Sequence, residues 1–274
     1  MNILKFLEEF TNDSMMSQTS SRRDVFGTFG SLSKKFALAS VPFGLATAST
    51  TSYGATAAAA GDPVGALQFA LTLEYLEDEF YDLALQSGVI TNNSIESVIM
   101  KISQHEQAHV TYLKNGLTAA GVTPVSKPTF DFTAGGLFDP FNSANPSANA
   151  QLMALAQAFE DTGVRAYKGQ ATNLLGSPFL TAALQIHSVE ARHASEIRRI
   201  RGLKGWITGK ERGTGMPAQT QAVYDGEENL TQGGINVTTL GTGPIFGVSS
   251  STEAYDEPLS KDAVLAIAGL FIVS

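Results

Sequence analysis

The chain contains no cysteine. Disulfides, cysteine-ligated zinc, iron–sulfur clusters and rubredoxin-type modules are thereby excluded. A cysteine-free chain suits an oxidising or a reducing compartment equally, so location has to be read elsewhere. Positive charge is also short: 18 basic side chains stand against 26 acidic ones, a net of −8, with no basic stripe. Nucleic acid is not an expected partner. No apolar run reaches the ~20 residues that a membrane-spanning helix requires. Histidine is scarce, with four in 274 residues. What is present is the composition of a folded globular protein, 43% hydrophobic and 16% charged, long enough for one large domain.

Two of the four histidines follow a glutamate by three positions: Glu106 and His109 in Gln104-His105-Glu106-Gln107-Ala108-His109, then Glu190 and His193 in His187-Ser188-Val189-Glu190-Ala191-Arg192-His193. At 3.6 residues per turn each pair projects from one helical face. One Glu-x-x-His is a weak signal. Its repetition is stronger, because two such pairs can supply two imidazoles and two carboxylates to one site.

Residues 1–60 read as an export leader. Ser20-Ser21-Arg22-Arg23-Asp24-Val25-Phe26 resembles a twin-arginine signal; a short apolar run follows from Phe36 to Ala46, and small residues crowd Ala55 to Ala60. Export to the periplasm or cell envelope is the expectation. Losing the leader removes five of the 18 basic and four of the 26 acidic side chains, leaving a net of −9.

From Asp62-Pro63, an N-cap followed by proline at the first helical position, the pattern becomes helical as far as Gly88. Asn92 or Asn93 caps a second helix that Gly121 and Pro124 close. Residues 122–147 carry Pro, Gly, Asn, Ser and scattered Phe without a period, and are expected to cross the surface as a loop. A third helix is expected from about Ala148 to Leu175 and a fourth from about Pro178 to Arg201, with Arg198, Arg199 and Arg201 suited to the negative end of its dipole. Four helices joined short–long–short predict an all-α four-helix bundle over residues 61–202 with one long crossover. Residues 203–274, rich in Gly and Thr, are expected to wrap the bundle as an irregular tail with one short helix near residues 260–268.

The first and third helices also match. Glu74 precedes Tyr81 by seven positions and Glu160 precedes Tyr167 by seven; the halves are offset by 86 residues at this feature and by 84 at the Glu-x-x-His. Each helix thus contributes one glutamate, and each glutamate lies on an apolar stripe. Four uncompensated buried carboxylates would repel or take up protons. With two neutral imidazoles they carry about −4, which two divalent cations balance. Without metal, replacing Glu106 by Gln is expected to be tolerated.

These features resemble the ferritin-like superfamily, and most closely its secreted members that include the plant desiccation-related proteins. Glu74-Tyr75-Leu76-Glu77-Asp78-Glu79-Phe80-Tyr81 and the two Glu-x-x-His pairs carry the resemblance, which covers roughly residues 62–202. It implies a di-iron or di-manganese centre, with zinc also compatible. In it Glu106 and Glu190 would bridge the metals, Glu74 and Glu160 would be terminal ligands, and His109 and His193 would each bind one metal. Around these, Glu77, Tyr81, Tyr167 and His187 are expected as outer partners; the repeat counterpart of Glu77 is Gly163. His105 falls on another face and is expected to be exposed.

The implied activity is iron, oxygen or peroxide handling by a di-metal oxidoreductase, ferroxidase-like or peroxidase-like. The alternative is a non-catalytic envelope or stress protein that keeps the bundle. A homo-oligomer is compatible with either, but the tail and the long crossover argue against a storage cage.

Overall fold

The computed structural model describes residues 61–240 and 247–273. The export leader expected over residues 1–60 lies outside the described residues. Helix α1 spans Pro63–Gln86, α2 Asn93–Ala119, α3 Ala148–Gln170 and α4 Leu180–Ile200. α1 packs along α2 and α3 along α4, with the long crossover between the two hairpins. This is an all-α four-helix bundle with one long crossover, as the sequence predicts. No helix among the described residues is long and apolar enough to cross a membrane.

The ends of the helices follow local chemistry. Asp62 accepts a 2.8 Å bond from the Gly65 amide, and Pro63 spends no amide donor where none could be used. Asn92 accepts from the Ser94 and Ile95 amides. At Gly121 (φ +73°) the chain reverses as the Val122 amide reaches back to the Leu117 carbonyl, a left-handed termination that glycine permits without a Cβ clash. The third helix ends sooner than expected. After Gln170 it tightens into a 3₁₀ turn, Ala171–Leu174, before Gly176 stops it.

α3 is buried without interruption from residue 152 to 167. A bundle helix normally keeps a wet outer face, so a fully covered one means that something lies over it. The cover is the tail. After two short strands, β1 Thr231–Gln232 and β2 Ile235–Asn236, come helices α5 Val248–Glu253 and α6 Lys261–Ala268. Val264, Ile267 and Ala268 of α6 enter the bundle core, and burying a residue such as Val or Ile stabilises by roughly 1.5–3 kcal/mol. Arg165 of α3, itself buried, pairs with Glu227 at 2.8 Å and donates to the backbone carbonyls of Val223, Asp225 and Glu257. One guanidinium thus ties two stretches of tail, residues 223–227 and Glu257, to α3.

The crossover is less superficial than its sequence suggests. Phe132 and Phe138 are buried, and Phe132 packs with Phe80, Phe141, Phe159 and Phe271 in an aromatic cluster joining the crossover, α1, α3 and the chain's last turn. Backbone bonds at Asp131 and Val273 stitch the crossover to the same turn. Arg198 lies in the last turn of α4, as expected, but it is buried there and pairs with Asp161 at 2.8 Å in a network inside the bundle.

Candidate metal centre

The apolar stripes that fold the bundle also carry its carboxylates inward. Glu74 (α1), Glu106 (α2), Glu160 (α3) and Glu190 (α4) are all 0% exposed, and His109 and His193 are 8% and 4% exposed. Burial this complete is decisive, because a solvated glutamate on a wet helix face would not show it.

The six side chains form two groups that share two members. Nδ1 of His109 lies 3.2 Å from Glu74 Oε2, 3.0 Å from Glu106 Oε2 and 3.2 Å from Glu190 Oε1. Nδ1 of His193 lies 2.9 Å from Glu106 Oε1, 3.3 Å from Glu160 Oε2 and 3.9 Å from Glu190 Oε2. Glu106 and Glu190 therefore each turn one oxygen toward each histidine, while Glu74 and Glu160 each serve one end. Within each group of four, the ligating atoms lie within 4.8 Å of one another.

Hydrogen bonding does not account for this convergence. One ring nitrogen donates at most one proton, yet three carboxylates crowd each. Glu106 Oε1, Glu160 Oε2, both oxygens of Glu190 and Nδ1 of His193 have no hydrogen-bond partner among the described residues. Native proteins rarely leave such atoms orphaned. Two ligand atoms each ~2.1 Å from a cation and at right angles stand ~3 Å apart, matching these separations. The donor set fits a pair of divalent cations.

The remaining oxygens are held by tyrosines crossing between halves. Tyr81 on α1 donates to Glu160 Oε1 at 2.5 Å, and Tyr167 on α3 donates to Glu74 Oε1. Each terminal glutamate thus keeps one oxygen pinned and turns the other inward.

Without a cation the cluster is electrostatically divided. Burial, then repulsion by Glu106, raises Glu74 to about 8, although hydrogen bonding to His109 opposes the shift. Burial and Glu106 likewise hold Glu190 well above the ordinary carboxylate value. Glu106 differs: burial pushes it up, but the imidazoles of His109 and His193 beside it, at 3.0 and 2.9 Å, outweigh that and bring it down to about 2. His193 is pushed down by burial, yet Glu160 and Glu106 together lift it to about 11. His109 is raised further in the same way.

The outer positions divide. Glu77 is buried at the edge of the cluster, and burial followed by the charges of Glu190, Glu160, Glu106 and Glu74 pushes its carboxyl well up. Gly163 makes room for it: a methyl group there would stand 3.2 Å from both Glu190 Oε2 and Glu77 Oε1. His187 is not brought to the cluster. One turn before Glu190, it is displaced toward Lys168 and Asp256, and its Nε2 is buried without a hydrogen-bond partner among the described residues. His105 requires a correction as well. It is half-buried, and its Nδ1 lies 2.9 Å from Nε2 of His193. Sequence periodicity could not show this, since the two residues are 88 positions apart.

A search of curated proteins returned no match. Compared with known protein families, residues 62–203, just over half of the 274, match the ferritin-like domain. That span contains all four bundle helices and all six converging side chains, and the chain belongs to the ferritin-like domain family.

Proposed function

We propose that this protein holds two divalent cations, iron or manganese with zinc also compatible, and uses them in iron, oxygen or peroxide chemistry. The observation that carries the proposal is the convergence of buried ligand atoms from four helices, among which carboxylate oxygens of Glu106, Glu160 and Glu190 and Nδ1 of His193 have no hydrogen-bond partner among the described residues. Glu106 and Glu190 would bridge; Glu74 with His109 and Glu160 with His193 would complete the two ends. Hard oxygen donors with two imidazoles suit these metals.

Such a pair, when bound, supplies one-electron redox steps and Lewis acidity. The chain does the rest. Tyr81 and Tyr167 fix the rotamers of the terminal glutamates, the apolar stripes keep bulk water out, and Gly163 with Glu77 leaves an edge where a small reactant could approach. A crevice of about 20 Å³ reaches that edge between Leu73, Leu76, Phe159 and Ile267, wide enough for a molecule of water size. Incubation with Fe(II) and oxygen tests this reading. Repeated turnover supports an oxidoreductase.

The tail laid over α3 favours a second reading, in which the metals are structural and the protein is a non-catalytic envelope or stress protein of the desiccation-related kind. Stoichiometric binding without turnover would support it. The paired Arg22-Arg23 and the apolar run behind them support export in either case, and changing both arginines to Lys should abolish it in cell fractionation.

A further inference from the structure

The His105–His193 contact is geometrically well defined. The ring centres are 5.2 Å apart and the ring planes differ by 12°. That separation is the 2.9 Å between nitrogens plus the two ring radii, so the rings meet edge to edge in nearly one plane. This is the alignment of an in-plane hydrogen bond rather than of a face-to-face stack.

Its direction follows from the other side of His193. Nδ1 faces Glu106, Glu160 and Glu190 and has no hydrogen-bond partner among the described residues. If Nδ1 holds a metal it bears no proton, so the ring's single proton sits on Nε2. Nδ1 of His105 is the acceptor within reach, which places the proton of His105 on its own outward Nε2.

The other half of the repeat has no equivalent. The 84-residue offset that pairs Glu106 with Glu190 pairs His105 with Val189, which offers no side-chain acceptor. His109 makes its hydrogen bonds through Nδ1, and the described residues offer its Nε2 no partner. Two ends that are alike in ligands therefore differ in what stands behind the imidazole.

We propose that His105 is a positioning residue for one metal position only: it accepts the Nε2 proton of His193, fixes that ring with Nδ1 toward the carboxylates, and makes the Glu160–His193 end the tighter of the two. The inference rests on the di-metal reading above. Partners behind a ligating histidine fix its tautomer and raise its basicity, and losing one typically costs 10–100-fold in metal affinity. Because the bond lies on the seam between α2 and α4, outside the ligand shell, its removal leaves all six ligating side chains in place.

The test is calorimetric titration of the metal-free full chain with Mn(II), for wild type, His105→Leu and His105→Asn. Leucine fills the site without an acceptor, while the Asn carbonyl oxygen stands close to where Nδ1 of His105 stood. Wild type should bind two equivalents. His105→Leu should lose 10–100-fold in one equivalent and keep the other, and His105→Asn should restore most of the loss. In Zn(II)-loaded protein, the slowly exchanging ring proton on Nε2 of His193 should be visible by NMR in wild type and His105→Asn, and absent in His105→Leu. Equal affinities in wild type and His105→Leu would overturn the proposal. So would equal weakening of both equivalents without rescue by Asn, since that marks a packing role. Failure of wild type to bind any metal would instead overturn the di-metal reading itself.

Discussion

Tyr81 on α1 donates a 2.5 Å hydrogen bond to Glu160 on α3, and Tyr167 on α3 answers with the same bond to Glu74 on α1. The two halves of the repeat therefore do not merely face one another. Each supplies the hydroxyl that orients the other's terminal carboxylate. Both phenols are buried, and burial followed by the adjacent glutamate charge holds their pKa values well above that of free tyrosine, so they remain donors.

Tyr81→Phe should therefore act on metal binding as well as on stability. Leaving a buried acceptor unsatisfied costs about 1–3 kcal/mol, and loosening Glu160 should weaken metal binding 10–100-fold. Thermal melting and metal titration of Tyr81→Phe, Tyr167→Phe and the double variant check this. If both single variants bind metal as wild type does, the phenols are plain core aromatics.

Gly163→Ala separates the metal site from the fold. Glycine inside a helix costs about 0.5–1 kcal/mol relative to alanine, so in the metal-free protein the substitution should be neutral or slightly stabilising. The new methyl would press on Glu190 and Glu77 at 3.2 Å and displace a shared carboxylate. Metal affinity should fall while the metal-free melting temperature holds. A fall in melting temperature with unchanged affinity would place the strain elsewhere.

Much of the fold was legible because its signals are local. Asp62-Pro63, Asn92, Gly121 and Gly202 mark helix ends by their own chemistry, and the inward faces follow from helical periodicity. The rest depends on partners far along the chain. Phe132 and Phe138 sit in a segment without a period, so nothing local announces that they plug a core shared with Phe271. Arg198 reads as one of three arginines at a helix end until Asp161, 37 positions earlier, is seen to face it. His105 lies one residue from Glu106, about 100° around α2 from the ligand face, and only the packing of α4 gives it a partner.

The charge distribution also bears on one expectation, that Glu106→Gln is tolerated without metal. Glu106 is the carboxylate that two protonated histidines hold ionised, whereas Glu190 is pushed toward its neutral form. In the metal-free protein, Glu190→Gln should thus be tolerated and Glu106→Gln should destabilise, the opposite of what repulsion among four equal carboxylates implies. Melting both variants after chelation decides it, and a more stable Glu106→Gln would refute this division of charge.

The pH dependence follows from the same shifts. Glu74, raised from 4.5 to about 8, contributes stability that is full below about pH 4.5 and lost as pH rises through about 8. His193, raised from 6.5 to about 11, contributes below pH 6.5 and loses it at higher pH, in the same direction. Glu106 acts oppositely but only in strong acid, as pH falls toward about 2. The metal-free protein should therefore lose stability from mildly acidic to mildly alkaline pH. The metal-loaded protein should gain it, because protons and cations compete for the same atoms. With free metal at a thousandfold excess over the dissociation constant, the gap is about 4 kcal/mol. Melting curves with and without chelator should converge near pH 5 and separate above pH 7; curves that stay parallel would contradict the linkage.

The proposed centre holds two cations between four glutamates and two histidines. Its most direct measurement is the metal content of the purified full chain by elemental analysis, beside a variant carrying Glu106→Ala and Glu190→Ala together. The expected result is two metal ions per wild-type chain and a loss of both in the variant, with the helical content retained. A wild-type chain without bound metal after exposure to excess Fe(II), Mn(II) and Zn(II), or a variant that keeps both ions, would contradict it.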